Sequence, residues 1–278
     1  MQTGFDTLIS TGEVLPLLGK DNTVILDCRY SLTDYDAGRK EYLKRHIPGA
    51  YYLDLGHDLS AHLIKGVTGR HPLPNPDVLA FTLRAAGLNS DSQVLAYDQS
   101  NGAYASRAWW LLNWLGHEHV AVLNGGFGAW EKEGLPTDNQ WPAPKSGNFN
   151  TSMRTDLMVL KEYVHDTEDT IVDSRAYERF TGEKEPLDPV AGHIKGAICL
   201  PFTNNLQPDG YWKSPQELAE KFASPNLSAE ENPIFYCGSG VTACHNLLAY
   251  KVATGRHARL YPGSWSEWIN YYPPTIGE

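Results

Sequence analysis

Apolar residues gather in short continuous runs along the chain: Val24 to Asp27, Val94 to Tyr97 and Val120 to Leu123, then Ile171 to Asp173, Ile234 to Tyr236 and Arg259 to Tyr261. Short runs rich in β-branched residues, without apolar–polar alternation, predict strands buried on both faces. Longer stretches between them carry helical spacing. One predicted helix runs from about Asp77 to Ala86 and stops at Gly87, a residue suited to a left-handed cap. Another follows Ser214, where SPQE supplies an N-cap serine, a first-turn proline and a capping-box glutamate ahead of Leu218 and Phe222. A third follows Cys237, with Ala243, Leu247 and Tyr250 on one face. Buried strands alternating with helices predict an α/β fold, a parallel sheet covered by helices on both faces.

The pattern occurs twice. VILDCR at Val24 to Arg29 is answered by TIVDSR at Thr170 to Arg175, and HIPGA at His46 to Ala50 by HIKGA at His193 to Ala197, at nearly the same offset. VLAYDQS (Val94 to Ser100) pairs with PIFYCGS (Pro233 to Ser239), and LNGGFGAW (Leu123 to Trp130) with LYPGSWSEW (Leu260 to Trp268). Similarity held in register over this length marks a duplicated unit. Between the copies lies a stretch rich in Pro, Asn and Gly without apolar period, as expected of a linker. The predicted organisation is a first domain at residues 1–137, a linker at 138–152 and a second domain at 153–278.

A length of 278 residues suits two domains, each able to bury its own core. Eight tryptophans, Trp109, Trp110 and Trp114 among them, are expected to fill cores. No apolar run approaches the roughly 18 residues of a membrane span. The amino terminus, MQTGFDTLIS, has neither a basic leader nor an apolar stretch, so a soluble cytoplasmic protein is expected, with no membrane partner. The net charge of −10 repels phosphates and argues against nucleic acid. Cys28, Cys199, Cys237 and Cys244 form no C-x-x-C pair and read as free thiols.

Only Cys237 has a surrounding that suggests chemistry. In PIFYCGSGVTACHNLLAY an apolar strand gives way to Cys-Gly-Ser-Gly and then to a helix. The cysteine therefore sits at a strand-to-helix turn, at the carboxyl end of a parallel sheet where ligands bind. Gly238 and Gly240 let the backbone curl so that successive N–H groups face inward, and the helix adds its positive end. Such a nest stabilises a thiolate, and equally the terminal sulfur anion of a persulfide. A phosphatase would need an arginine closing the loop, where this chain has Ala243 and Cys244. Cys244, Cys28 and Cys199 read as packing, and Cys244 is expected to point away from the loop rim.

The two Asp-x-Arg strands, the two HIxGA turns and the loop CGSGVTA resemble the tandem-domain sulfurtransferases, the rhodanese and 3-mercaptopyruvate sulfurtransferase family, over nearly the whole chain. The resemblance implies two rhodanese-like domains. It also implies an inactive first copy, because Asp98 stands where Cys237 stands in the second, and a first domain that walls one side of the cleft. A CGSGVT loop resembles enzymes that use 3-mercaptopyruvate, whereas a basic loop resembles those that use thiosulfate. The resemblance assigns Cys237 as nucleophile, Ser239 and His71 as a proton relay, and Arg179 as the cation for the donor carboxylate. Gly238, Gly240, Val241 and Thr242 of the loop are expected to bind the substrate with Arg179. Asp54 and Asp58 straddle the place of an acidic relay member, occupied here by Gly56. A second substrate arginine is absent, its place taken by Leu187 or Asp188, and Lys184 is the nearby cation. Arg29 and Arg175 recur in both copies and read as structural.

The implied reaction is a ping-pong transfer through a Cys237 persulfide to cyanide, a small thiol or a thioredoxin-like protein, with no metal or organic cofactor. Alternatives are a thiosulfate:cyanide sulfurtransferase and a persulfide carrier that turns over no free donor. Thiol redox catalysis ranks last, for want of a well-placed resolving cysteine.

Overall fold

The computed structural model describes residues 4–99, 101–223, 227 and 232–277. By contacts the chain divides into two units: residues 1–61, 74–154 and 208–211 form one, and residues 62–73, 155–207 and 212–278 the other. Each holds a parallel sheet flanked by helices, the α/β fold expected.

In the first unit the strands are β1 (Leu8–Ile9), β2 (Thr23–Asp27), β3 (Tyr51–Tyr52), β4 (Gln93–Tyr97) and β5 (Val120–Leu123), in the order β1-β5-β4-β2-β3 with every pair parallel. The central three are the runs legible in the sequence, and every residue in them is buried except the first of β2 and of β4. Ile25, Leu95, Ala121, Phe127 and Trp130 share one core cluster. The stretch read as a linker runs along this unit. The N–H groups of Lys145, Gly147 and Phe149 donate to carbonyls of Ala85, Arg84 and Leu88, and the Phe149 ring is buried.

The second unit has β6 (Ile171–Asp173), β7 (Ile198–Cys199), β8 (Ile234–Tyr236) and β9 (Arg259–Leu260), in the order β7-β6-β8-β9, again all parallel. Its core gathers Ile171, Ile234, Tyr236, Tyr261, Trp265 and Trp268. The helix Pro215–Phe222 begins with the capping box foreseen at Ser214 and Glu217. The helix Ala243–Thr254 ends at Gly255, φ 73°, and from Ala243 to Tyr250 every residue is buried. It is therefore covered all round, not along one face.

The paired motifs fold alike. The Arg29 guanidinium donates to Asp27 and to the Arg45 carbonyl, 4.3 Å over the Phe127 ring. Arg175 does the same with Asp173 and the Gly192 carbonyl, 4.9 Å from Trp265. These arginines fasten the carboxyl end of a central strand in each unit. No helix among the described residues is long and apolar enough to cross a membrane.

Candidate active site

Cys237 follows β8 directly and is 1% exposed. Its N–H donates to Ser264 Oγ at 3.1 Å, and its carbonyl and that of Gly238 accept from the N–H groups of Trp265 and Ser266 at 3.0 and 2.9 Å. In a planar trans peptide the N–H points opposite to the carbonyl. The N–H groups of Gly238 and Ser239 therefore face away from Trp265 and Ser266, and the loop turns them to one side. Gly240 completes the turn at φ 76°, where any side chain would also strike the Pro262 carbonyl.

The first copy shows what such a loop holds. Asp98 follows β4 as Cys237 follows β8, and its carbonyl and that of Gln99 accept from Phe127 and Gly128 in the same way. Its buried carboxylate accepts from the N–H groups of Gly102, Tyr104 and Ala105 at 2.9, 2.9 and 3.3 Å. In this copy, then, the N–H groups at the start of the following helix hold an anion, the chain's own aspartate.

Residues 62–73 belong to the first repeat in sequence but cluster with the second unit. The Arg70 N–H donates to Ser266 Oγ at 3.0 Å, Tyr271 Oη donates to the Val67 carbonyl at 3.1 Å, and a side chain at Gly69 would strike the Gly263 carbonyl. This docking brings His71 Nδ1 to 2.8 Å from Ser239 Oγ. Ser239, 6% exposed, thus has the histidine that the resemblance implies. Asp54 and Asp58 are committed elsewhere. The Asp54 carboxylate accepts from the N–H groups of Gly56 and His57, and that of Asp58 accepts from Asp54 N–H.

Arg179 lies in the short helix Tyr177–Phe180. Its Nε and Nη2 reach both oxygens of Glu185 at 2.8–3.1 Å, and Nη2 also donates to Asp188 at 3.1 Å. Burial would raise the Glu185 carboxyl, but Arg179 and the N–H groups of Leu187 and Asp188 hold it below the usual carboxylate range. Asp188 is raised by its burial, against the pull of Arg70 and Arg179. Lys184 is exposed.

Three features escaped the sequence reading. Arg70, beside His71, pairs with Asp188, and its Nη2 stands 2.7 Å from the point where a Cβ on Gly238 would lie. The two Arg179 Nη atoms lie 3.3 and 3.4 Å from that same point. Ser264 takes φ 55° and uses its hydroxyl on the Cys237 N–H; its one sequence signal is that it answers Gly126, φ 59°, in the first copy. Cys244, expected to point off the loop, instead turns its Sγ to the Gly240 carbonyl at 3.3 Å, because a first-turn side chain leans back toward the amino end of its helix. Burial, with help from Asp27 and Asp173, pushes the Cys28 thiol up and that of Cys199 to about 12, which leaves neither a ready nucleophile.

A family profile described as Rhodanese-like domain matches residues 10–133 and again 157–271. A "Probable 3-mercaptopyruvate sulfurtransferase" of Pseudomonas aeruginosa is 46% identical over 268 residues, 94% of either chain. A thiosulfate sulfurtransferase of Bos taurus is 34% identical over 259 residues, 90% of this chain and 86% of its own. The solved 3-mercaptopyruvate sulfotransferase of Escherichia coli superposes with a TM-score of 0.82 at 31% identity, covering 95% of this chain and 100% of that one. The duplicated fold and the relatives that match both halves of it lead to one conclusion: the chain belongs to the rhodanese family, as a two-domain sulfurtransferase.

Proposed function

We propose that the chain takes sulfur from 3-mercaptopyruvate onto Cys237 and passes it on from there. The Cys237 thiolate attacks the donor sulfur, the donor C–S bond breaks, and its electron pair stays on carbon as the enolate of pyruvate. The sulfur remains on Cys237 as a persulfide anion, and the enolate takes up the proton the donor thiol has lost. A thiol, cyanide or a thioredoxin-like protein then removes the sulfur. The first copy, with Asp98 in its cradle, carries none.

The observation that carries the choice of donor is the contact between Ser239 Oγ and His71 Nδ1 at 2.8 Å, one residue beyond Gly238 from the thiol. A hydroxyl and an imidazole in hydrogen-bond contact can move a proton to the departing enolate. Sulfite leaving from thiosulfate needs no such relay. Gly238, Gly240, Val241 and Thr242 shape the loop around the anion, and Arg179 supports the carboxylate end of the donor. Steady-state transfer from each donor in turn, in the native protein and in Ser239→Ala, tests the reading. The expected result is a preference for 3-mercaptopyruvate that Ser239→Ala removes. A preference for thiosulfate, indifferent to Ser239, would assign the chain as a thiosulfate sulfurtransferase instead.

A further inference from the structure

The site described so far gives the donor one cation, and that cation is already occupied. Arg179 spends Nε and Nη2 on Glu185, whose side chain is 3% exposed, and Nη2 again on Asp188. A guanidinium gripped on this edge holds its position well but has less to offer a second carboxylate.

Arg70 is placed differently. Its backbone is fixed by the bond from its N–H to Ser266 Oγ, and the next residue, His71, is bonded to Ser239. Its Nη1 pairs with Asp188, while its Nη2 comes nearer than either Nη of Arg179 to the place a side chain would take on Gly238, the residue after Cys237. At 27% its side chain is more exposed than that of Arg179 at 16%, so solvent reaches it. Asp188, 2% exposed, accepts from both guanidiniums, one on each oxygen. One carboxylate bridging two cations keeps them close together beside the loop, which two like charges would not do unaided.

We infer that Arg70 is the residue that selects for the donor's carboxylate, gripping it through the guanidinium edge that faces Gly238 while Asp188 holds Arg70 and Arg179 together. This rests on the reading that the donor is a thiol-bearing 2-oxo acid. It makes good the missing arginine at Leu187 and Asp188 from another part of the chain: the cation arrives from the docked segment 62–73, and an aspartate at the vacated place holds it. Arg70 then acts in binding and not in the sulfur transfer itself. Its side chain meets the end of the donor remote from the breaking bond, so its loss falls on KM.

The test compares the full-length native protein with Arg70→Gln, which removes the charge and the guanidinium and leaves an amide N–H on a shorter side chain, and Arg70→Lys, which keeps the charge without the fork. KM and kcat are measured for 3-mercaptopyruvate, with thermal melting of each variant. The inference expects KM for Arg70→Gln to rise about tenfold or more, as for loss of a charge-assisted bond, with kcat little changed and Arg70→Lys in between. An unchanged KM in a folded Arg70→Gln, or a loss confined to kcat, would overturn it. If Arg70→Gln does not fold, Arg70→Lys decides by the same split of KM from kcat. A native protein that does not turn over 3-mercaptopyruvate would remove the donor reading itself, which is a separate failure.

Discussion

Ser264 is the residue at which the two copies differ most tellingly. The first copy reaches the same backbone conformation with Gly126, at no steric cost, whereas the second places a side chain there at about 1 kcal/mol or more. The hydroxyl gives a reason for that cost. It accepts the N–H of Cys237 and donates to the Tyr261 carbonyl at 2.9 Å, so it fixes the peptide that carries the thiol. Ser264→Gly separates the two effects, since it relieves the strain and deletes the hydroxyl. Its melting temperature should stay close to that of the native protein while kcat/KM for sulfur transfer falls about tenfold. Unchanged transfer kinetics would show that Ser264 only packs. The sequence displayed Cys237 and Ser239 because they sit in one continuous loop beside two glycines. It showed Ser264 only as the residue answering Gly126 and could not display Arg70, whose part depends on chain segments far away in sequence.

At the scale of elements, local signals were legible and long-range ones were not. The capping box at Ser214 involves neighbours and formed as read, and β2, β4, β5, β6, β8 and β9 matched their apolar runs to within a residue or so. The strands β1, β3 and β7 have two residues each, too short to set up a period. The helix after the cysteine reads as one-faced, yet it is buried all round because β8, β9 and the helix Pro215–Phe222 all pack on it. The loop carrying Glu185 and Asp188 shows only as a charged run, though its carboxylates fold inward onto Arg175, Arg179 and Arg70. A pH effect follows. The Glu185 carboxyl is held below its ordinary value of 4.5, so the unfolded chain binds more protons than the native one in the window beneath 4.5. Its stabilisation is present above that value and is lost as the pH falls through the lowered one. Glu185→Gln should therefore destabilise the protein by roughly 1–2 kcal/mol at neutral pH, with the gap closing as the pH falls through the lowered value of that carboxyl. Melting curves of both proteins across that range check it. A gap that does not change with pH would mean that Glu185 acts by shape alone.

For the whole molecule, the duplication explains the fold. Two copies of one unit repeat the Asp-x-Arg clamp and the HIxGA turn, and in the first copy the N–H groups that follow the central strand hold the Asp98 carboxylate. The second leaves the place to a cysteine. What the repeat pattern could not reveal is the exchange of residues 62–73, which give the second unit His71 and Arg70 from within the first repeat. The central claim is that sulfur rests on Cys237 between donor and acceptor. It is tested most directly by intact-protein and peptide mass spectrometry after brief exposure to 3-mercaptopyruvate without acceptor. The account predicts one added sulfur atom, located on the peptide containing Cys237, removed by a thiol and absent from Cys237→Ser. Added sulfur on Cys28, Cys199 or Cys244, or sustained transfer by Cys237→Ser, would contradict it.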